Sequence, residues 1–351
     1  MASPMSTAPP DPPLDETLAL PGGPTYGRFR LQGEIGRGGM GVVMRAWDPT
    51  LKRVVALKRI RSGPGEEAEV VQRFLREARA AARLRHPGIV PVFEAGVEGD
   101  EHWMASEFVE GRSLGEMMDL GHVPMKRAVE LVRQVALALQ AAHDAGIVHR
   151  DVKPDNVLVD EAGRPRLTDF GLAMAASSPD DPRLTTTGSV LGTPQYMSPE
   201  QAEARNRDVG AASDQFSLGV VLYELLTGRV PFEGRNLRAI LNAVCDSEPV
   251  PPRRLQRKIP PALEAVCLRA LAKRPEARYA SMDDFAEALR LALDESGRAP
   301  SRRSRAAPRW VVPVAAGALG VLGLVALVVS LRRPDREPAL AAQIGIGHGG
   351  R

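Results

Sequence analysis

The chain has 351 residues, enough for one large or two modest domains, and its 44% hydrophobic content supplies a sizeable core and excludes a wholly disordered chain. The net charge is only +3, with Arg298, Arg302, Arg303, Arg305 and Arg309 bunched ahead of an apolar run, which argues against a nucleic-acid-binding surface. The two cysteines, Cys245 and Cys267, lack metal-site spacing and cannot build a disulfide framework, so they read as core thiols in a reducing compartment.

Residues 1–28 are rich in proline, with Pro9-Pro10 and Pro12-Pro13 close together, and no basic start followed by an apolar stretch marks a signal peptide. A disordered tail is expected there. From Phe29 to about Phe108, short alternating apolar runs predict strands with one helix among them. Gly36-Arg37-Gly38-Gly39-Met40-Gly41-Val42-Val43 sits between two such strands. Its glycines therefore predict a hairpin tip that can lie close over phosphates, not the strand-to-helix turn of a dinucleotide fold. Val54-Val55-Ala56-Leu57-Lys58 predicts a buried strand carrying a lysine, a costly placement unless the ammonium meets an anion. Glu66 to Leu84 predicts a helix, stopped by His86-Pro87-Gly88.

From about Leu114 the periods are helical. Val129, Leu131, Val132, Val135, Ala136 and Leu139 form one apolar stripe, and Phe216 to Leu226 is apolar almost throughout, which predicts a buried helix. A small strand-rich lobe followed by a larger helical one is an α+β architecture. Residues 294–309 are polar and Arg-rich and read as a linker. The run from Val311 to Leu331 carries no charge and, as a helix, would be roughly 30 Å long, the thickness of a hydrocarbon core. With Trp310 at one end and Arg332-Arg333 at the other, a single transmembrane helix over residues 310–331 is expected. Residues 332–351 then form a short tail beyond it, too short for a folded sensor domain.

The most informative stretch is His149-Arg150-Asp151-Val152-Lys153-Pro154-Asp155-Asn156, followed by Asp169-Phe170-Gly171. It supplies a carboxylate to orient a hydroxyl, a lysine to neutralise a moving phosphoryl group, and two hard oxygen ligands suited to Mg²⁺. Together with the glycine-rich hairpin, Val-Ala-Leu-Lys and Ser198-Pro199-Glu200, this ordered set resembles the eukaryotic-like (Hanks-type) serine/threonine protein kinases of bacteria, in particular the membrane-anchored ones. The resemblance runs from about Phe29 to about Leu293.

The resemblance implies a two-lobed protein kinase fold over 29–293, with ATP and Mg²⁺ (or Mn²⁺ in its place) as cofactors. Asp151, Lys153 and Asn156 would be catalytic, and Asn156 and Asp169 would hold the metal. Ile35, Gly36, Arg37, Gly38, Gly39, Met40, Gly41 and Val43 would cover the nucleotide. Lys58 would reach the α- and β-phosphates and pair with Glu77. The backbone from Glu107 to Val109 would bind adenine, sandwiched by Ala56 and Leu158. Ser106 would limit access behind adenine, where a larger residue is common, so the back pocket should be open. Arg150 would meet a phosphorylated activation loop, with Thr185 and Thr187 the first candidates. Glu200 would pair with Arg278, and Asp214 would anchor the catalytic loop. Val190, Pro194 and Met197 would shape an apolar pocket for the residue after the target hydroxyl.

The implied partners are proteins presenting Ser or Thr, a membrane through the C-terminal helix, and a second copy for phosphorylation in trans, but no nucleic acid. Because the domain needs ATP, its side of the membrane should be the cytoplasm. Two other classes fit less well. A nucleotide-binding pseudokinase scaffold would be expected to have lost Lys58, Asp151 or Asp169, and all three are present. A small-molecule phosphotransferase would not need the segment ending in Ser198-Pro199-Glu200, which builds a protein-substrate surface.

Overall fold

A computed structural model describes residues 23–38, 41–61, 68–99, 101–121, 123–170 and 194–297. Six strands form the first layer: β1 (Thr25–Tyr26), β2 (Phe29–Gly38), β3 (Gly41–Asp48), β4 (Arg53–Arg61), β5 (Val92–Glu98) and β6 (Glu101–Glu107), in the order β1-β2-β3-β4-β6-β5. Neighbouring strands are antiparallel throughout. Side chains alternate across this sheet. On β4, Val55 and Leu57 enter a cluster with Phe29, Ala46 and Ala105. The opposite face of β4 carries Ala56, Lys58 and Ile60. Ile60 packs with Met104 and with Phe74 and Ala78 of helix α1 (Ala68–Ala81). The helix thus seals one end of the face on which Lys58 stands.

Two local details differ from the sequence reading. Helix α1 ends at Ala81, not Leu84, because Arg83 and Leu84 close with tighter bonds to the carbonyls of Ala80 and Ala81. Its expected start at Glu66 lies outside the described residues. Gly41 is required by strand packing as well as by any ligand. Its φ is +159°, and a Cβ there would lie 1.9 Å from the carbonyl oxygen of Arg59 on β4.

The second lobe begins with β7 (Gly111–Ser113), α2 (Leu114–Leu120) and α3 (Met125–Asp144), then β8 (Val157–Asp160) and β9 (Pro165–Leu167), the three strands forming a small sheet in sequence order. Helices α4 (Pro199–Ala202), α5 (Ala211–Thr227), α6 (Leu237–Asp246), α7 (Pro252–Leu255), α8 (Pro261–Ala270) and α9 (Met282–Gly297) complete it. The α3 stripe is fully buried, and α5 is buried from Ser213 through Tyr223, as a helix apolar on nearly every side must be. Helix α9 packs along α3 and α8.

Residues 294–297, expected to start the linker, are instead the last turn of α9, where Asp294 pairs with Arg290 at 2.7 Å. Cys267 is a core thiol, but Cys245 is only partly buried, because Ile240 and Val244 occupy the inward positions of α6. Among the described residues no helix is long and apolar enough to cross a membrane. The expected span over 310–331 lies outside them, as do the tail 332–351 and residues 1–22.

Candidate active site

The loop between α3 and β8 is built around Asp214, in the first turn of α5 and 1% exposed. Its carboxylate accepts the backbone N–H groups of His149 (2.8 Å) and Arg150 (2.7 Å), and its Oδ2 lies 2.7 Å from Nε2 of His143. Arg150 has a left-handed φ of +66°, and Asp169 has one of +65°. Such a conformation costs a non-glycine residue on the order of 1 kcal/mol and persists only where neighbours enforce it. His149 Nδ1 accepts from the N–H of Asp151 (3.2 Å), so the ring proton is on Nε2, which donates to the carbonyl of Thr168 (2.8 Å). The His149 ring also lies 4.6 Å from that of Phe170. One histidine therefore ties the loop of Asp151 to the segment of Asp169.

Asp151 Oδ2 receives Lys153 Nζ at 2.8 Å and Asn156 Nδ2 at 2.9 Å. Asn156 Nδ2 also donates to the Asp151 carbonyl (2.7 Å). The amide hydrogens of Asn156 are thus spent on Asp151, which leaves Oδ1 as its oxygen for a cation.

Lys58 is paired differently from the expectation. Its ammonium lies 2.9 Å from Asp169 Oδ2, while Glu77 lies 3.7 Å from Nη1 of Arg150. Lys58 and Asp169 are both largely buried, and a buried charge must find an opposite one. Among the described residues Asp169 is that partner for Lys58, and Glu77 of α1 pairs with Arg150, in the loop between α3 and β8. Burial pushes the Asp169 carboxyl up, but Lys58 outweighs it with help from Lys153 and holds it below the usual carboxylate range. Asp169 is therefore an anion at neutral pH.

The register sets out the rest of the cleft. Val43 pairs with Lys58 across β3 and β4, and Ala56 pairs with Ser106 across β4 and β6, so these four share one sheet face. Ser106 is buried, its hydroxyl 3.5 Å from the Ala56 carbonyl. The N–H of Glu107 donates to the Pro91 carbonyl (3.0 Å), and its carboxylate is gripped by Arg166 of β9 at 2.5 and 3.0 Å. Val109 and Leu158 are half-buried. Ile35 is exposed, as is Arg37, which forms a two-point pair with Glu34 at 2.9 and 2.6 Å. Gly36 and Gly38 lie on β2. Gly39, Met40, Thr185, Thr187 and Val190 lie outside the described residues.

Glu200 and Arg278 are a fully buried pair, with distances of 2.8 and 3.0 Å. Arg278 also donates to the carbonyls of Ala272 (2.8 Å), Ala212 (2.7 Å) and Lys273 (3.0 Å), so every guanidinium N–H has an acceptor. Burial raises the Glu200 carboxyl, but the hydrogen bonds and charge of Arg278, joined by the Ser213 hydroxyl, prevail and lower it. Ser198 caps α4 with Gln201 in a reciprocal box. Tyr196 donates to Glu224 at 2.5 Å, and burial raises both groups above their ordinary range.

Several residues of this site were not singled out from the sequence. Arg166 and His143 meet their partners only through the fold, and no local pattern announces them. Gln201 does carry a signal, the Ser-x-x-Gln spacing of a capping box. Among the described residues no group of three or more His, Cys, Asp or Glu could hold a metal unaided.

A protein kinase domain family model matches residues 29–289. The chain is 41% identical over 286 residues to the serine/threonine-protein kinase PksC of Streptomyces coelicolor, covering 78% of this chain and 51% of the relative. It is 39% identical to the serine/threonine-protein kinase PrkC of Bacillus subtilis, covering 76% of this chain and 41% of that one. It is 40% identical to the serine/threonine-protein kinase PknA of Mycobacterium tuberculosis, covering 80% and 64%. The chain thus spans about half the length of the curated relatives it matches. The crystal structure of the Mycobacterium tuberculosis PknI kinase domain superimposes with a TM-score of 0.63 at 27% identity, covering 78% of this chain and all (100%) of that one.

Proposed function

The chain belongs to the protein kinase domain family, and on that premise we propose that it transfers the γ-phosphate of ATP to serine and threonine hydroxyls of proteins. The observation that carries this reading is a pair of charged clusters on segments tied together by His149: Asp151 with Lys153 at 2.8 Å and Asn156 at 2.9 Å, and Lys58 with Asp169 at 2.9 Å. Asp151 would accept a hydrogen bond from the incoming hydroxyl and aim its oxygen along the line of displacement. Lys153, already on Asp151, would neutralise charge on the transferred group. Lys58 would hold the α- and β-phosphates, releasing Asp169 and taking Glu77 in exchange. The placement of Lys153 two positions after Asp151 supports serine and threonine over tyrosine as acceptors.

A divalent cation, Mg²⁺ with Mn²⁺ as substitute, would be held by Asn156 Oδ1 and the anionic Asp169. When bound it supplies positive charge against the phosphate oxygens. The donor set fits: Asn156 Oδ1 and the Asp169 carboxylate are hard oxygens, the kind that Mg²⁺ combines with water and substrate phosphate oxygens.

Phosphorylation of Thr185 or Thr187 would bring about −1.5 to −2 charges into competition for Arg150, freeing Glu77 for Lys58. We also propose that residues 310–331 anchor the protein as a single membrane-spanning helix, with the catalytic domain on the ATP-containing side. The uncharged run from Val311 to Leu331 supports this. Crowding on that surface would favour phosphorylation between copies. The test of the catalytic reading is transfer of labelled phosphate to a generic protein in the presence of Mg²⁺. Wild-type protein that binds ATP without labelling any protein contradicts it.

A further inference from the structure

The peptide unit that leads into Asp151 is pinned on both sides. Its N–H, belonging to Asp151, donates to His149 Nδ1 at 3.2 Å. Its carbonyl oxygen, belonging to Arg150, accepts from Nε2 of Gln201 at 2.7 Å. The preceding N–H, that of Arg150, is fixed by Asp214 at 2.7 Å. Arg150 needs this enforcement, because its left-handed φ of +66° is not one it adopts freely.

Gln201 spends its two amide atoms on different tasks. Its Oε1 accepts from the N–H of Ser198 (3.0 Å) and lies 3.2 Å from the Ser198 hydroxyl, which completes the cap of α4. Its Nε2 leaves the helix to reach the catalytic loop. Helix α4 is itself immobilised, because Glu200 in the same turn is locked to Arg278. The buried Glu200 anchor, the capped helix and the carbonyl before Asp151 therefore form one rigid connection. Deepening the kinase reading and resting on it, we propose that Gln201 is a positioning residue for phosphoryl transfer: its amide N–H fixes the peptide plane that aims the Asp151 carboxylate. A hydrogen bond at this point sets an angle at the reacting hydroxyl, and small angular errors there are expensive in rate.

The two tasks can be separated by chemistry. In Gln201→Glu the carboxylate keeps the acceptor of the capping box, where Glu is as good as Gln and suits the helix N-terminus. It loses the donor and sets an oxygen against the Arg150 carbonyl. Ser198→Ala does the reverse, weakening the cap while leaving Nε2 in place. The measurements are melting temperature, KM for ATP, and the single-turnover rate of phosphate transfer to a protein substrate, all on the full chain. For Gln201→Glu we expect a melting temperature lower by a few degrees at most, an unchanged KM for ATP, and a transfer rate lower by about tenfold. For Ser198→Ala we expect a lower melting temperature and a smaller loss of transfer rate than Gln201→Glu shows, because Nε2 keeps its reach to the Arg150 carbonyl. Gln201→Met, of similar length and without a donor, should slow transfer as Gln201→Glu does and supplies the reading if the carboxylate prevents folding. Wild-type transfer rates in folded Gln201→Glu or Gln201→Met protein overturn the proposal. An inactive wild-type control would instead overturn the kinase reading on which it rests.

Discussion

The buried pair Glu200–Arg278 makes the most quantitative demand on the structure. Both side chains are 0% exposed, and Arg278 holds Glu200 and three backbone carbonyls at once. Arg278→Ala strips the charge partner from a buried carboxylate, a change that costs about 4 kcal/mol. For a domain of this size, each kcal/mol lowers the melting temperature by roughly 2–4 °C, so a fall on the order of 10 °C is expected at pH 7. The pH dependence has a definite sign. In the wild type the folded carboxyl lies below its ordinary 4.5, so its stabilisation is present above that pH and is lost as pH falls through the folded value. In the variant Glu200 is buried without its cation, and its folded pKa rises above the unfolded one. The resulting penalty is full at neutral pH and is relieved as the carboxyl takes up a proton on acidification. The gap between wild-type and variant melting temperatures should therefore narrow between about pH 7 and pH 4.5. Calorimetric scans across that range would refute the reasoning if the gap at pH 7 were under about 2 °C, or if it did not narrow.

Three further outcomes are expected. Asp151→Asn should lower kcat by at least about 1,000-fold while ATP affinity, measured by titration calorimetry, stays within about threefold, because in the proposed mechanism Asp151 acts on the hydroxyl and not on the nucleotide. Equal kcat in the variant would remove Asp151 from the mechanism. Ser106, placed by register beside Ala56, should admit ATP analogues with bulky N6 substituents at a modest loss of kcat/KM, and Ser106→Met should exclude them; refusal of the analogues by wild type that uses ATP contradicts this. Lys273 donates to the Val244 carbonyl at 2.7 Å and sits 3.7 Å from the Phe232 ring centre, and burial draws its pKa down to about 8. Its folded pKa lies below the unfolded 10.5, so the unfolded chain binds more protons between those values and stability from this group rises with pH there. The melting temperature of wild type minus that of Lys273→Met should climb over that interval, and a flat difference would exclude the assignment.

Much of the site was legible because its geometry is local. Asp151, Lys153 and Asn156 lie within one short loop, and the hydrogen bonds among them follow from their spacing. The face shared by Ala56 and Lys58 follows from strand alternation. The partner of Lys58 was not legible, because two carboxylates, Glu77 and Asp169, compete for it and the position of α1 decides between them. The grip of Arg166 on Glu107 joins segments far apart in the chain, and no periodicity encodes it. Gly41 was assigned to ligand approach on sequence, whereas the nearby carbonyl of Arg59 already requires it. The end of α9 was misplaced because an Arg290–Asp294 pair carries the helix into residues whose polarity reads as linker.

The most direct measurement is phosphoamino-acid analysis of a protein substrate after incubation with the full chain, labelled ATP and Mg²⁺. The account predicts label on phosphoserine and phosphothreonine, absent when Mg²⁺ is chelated and absent with Asp151→Asn. Label confined to phosphotyrosine, or an unlabelled substrate beside a chain that demonstrably binds ATP, would contradict it.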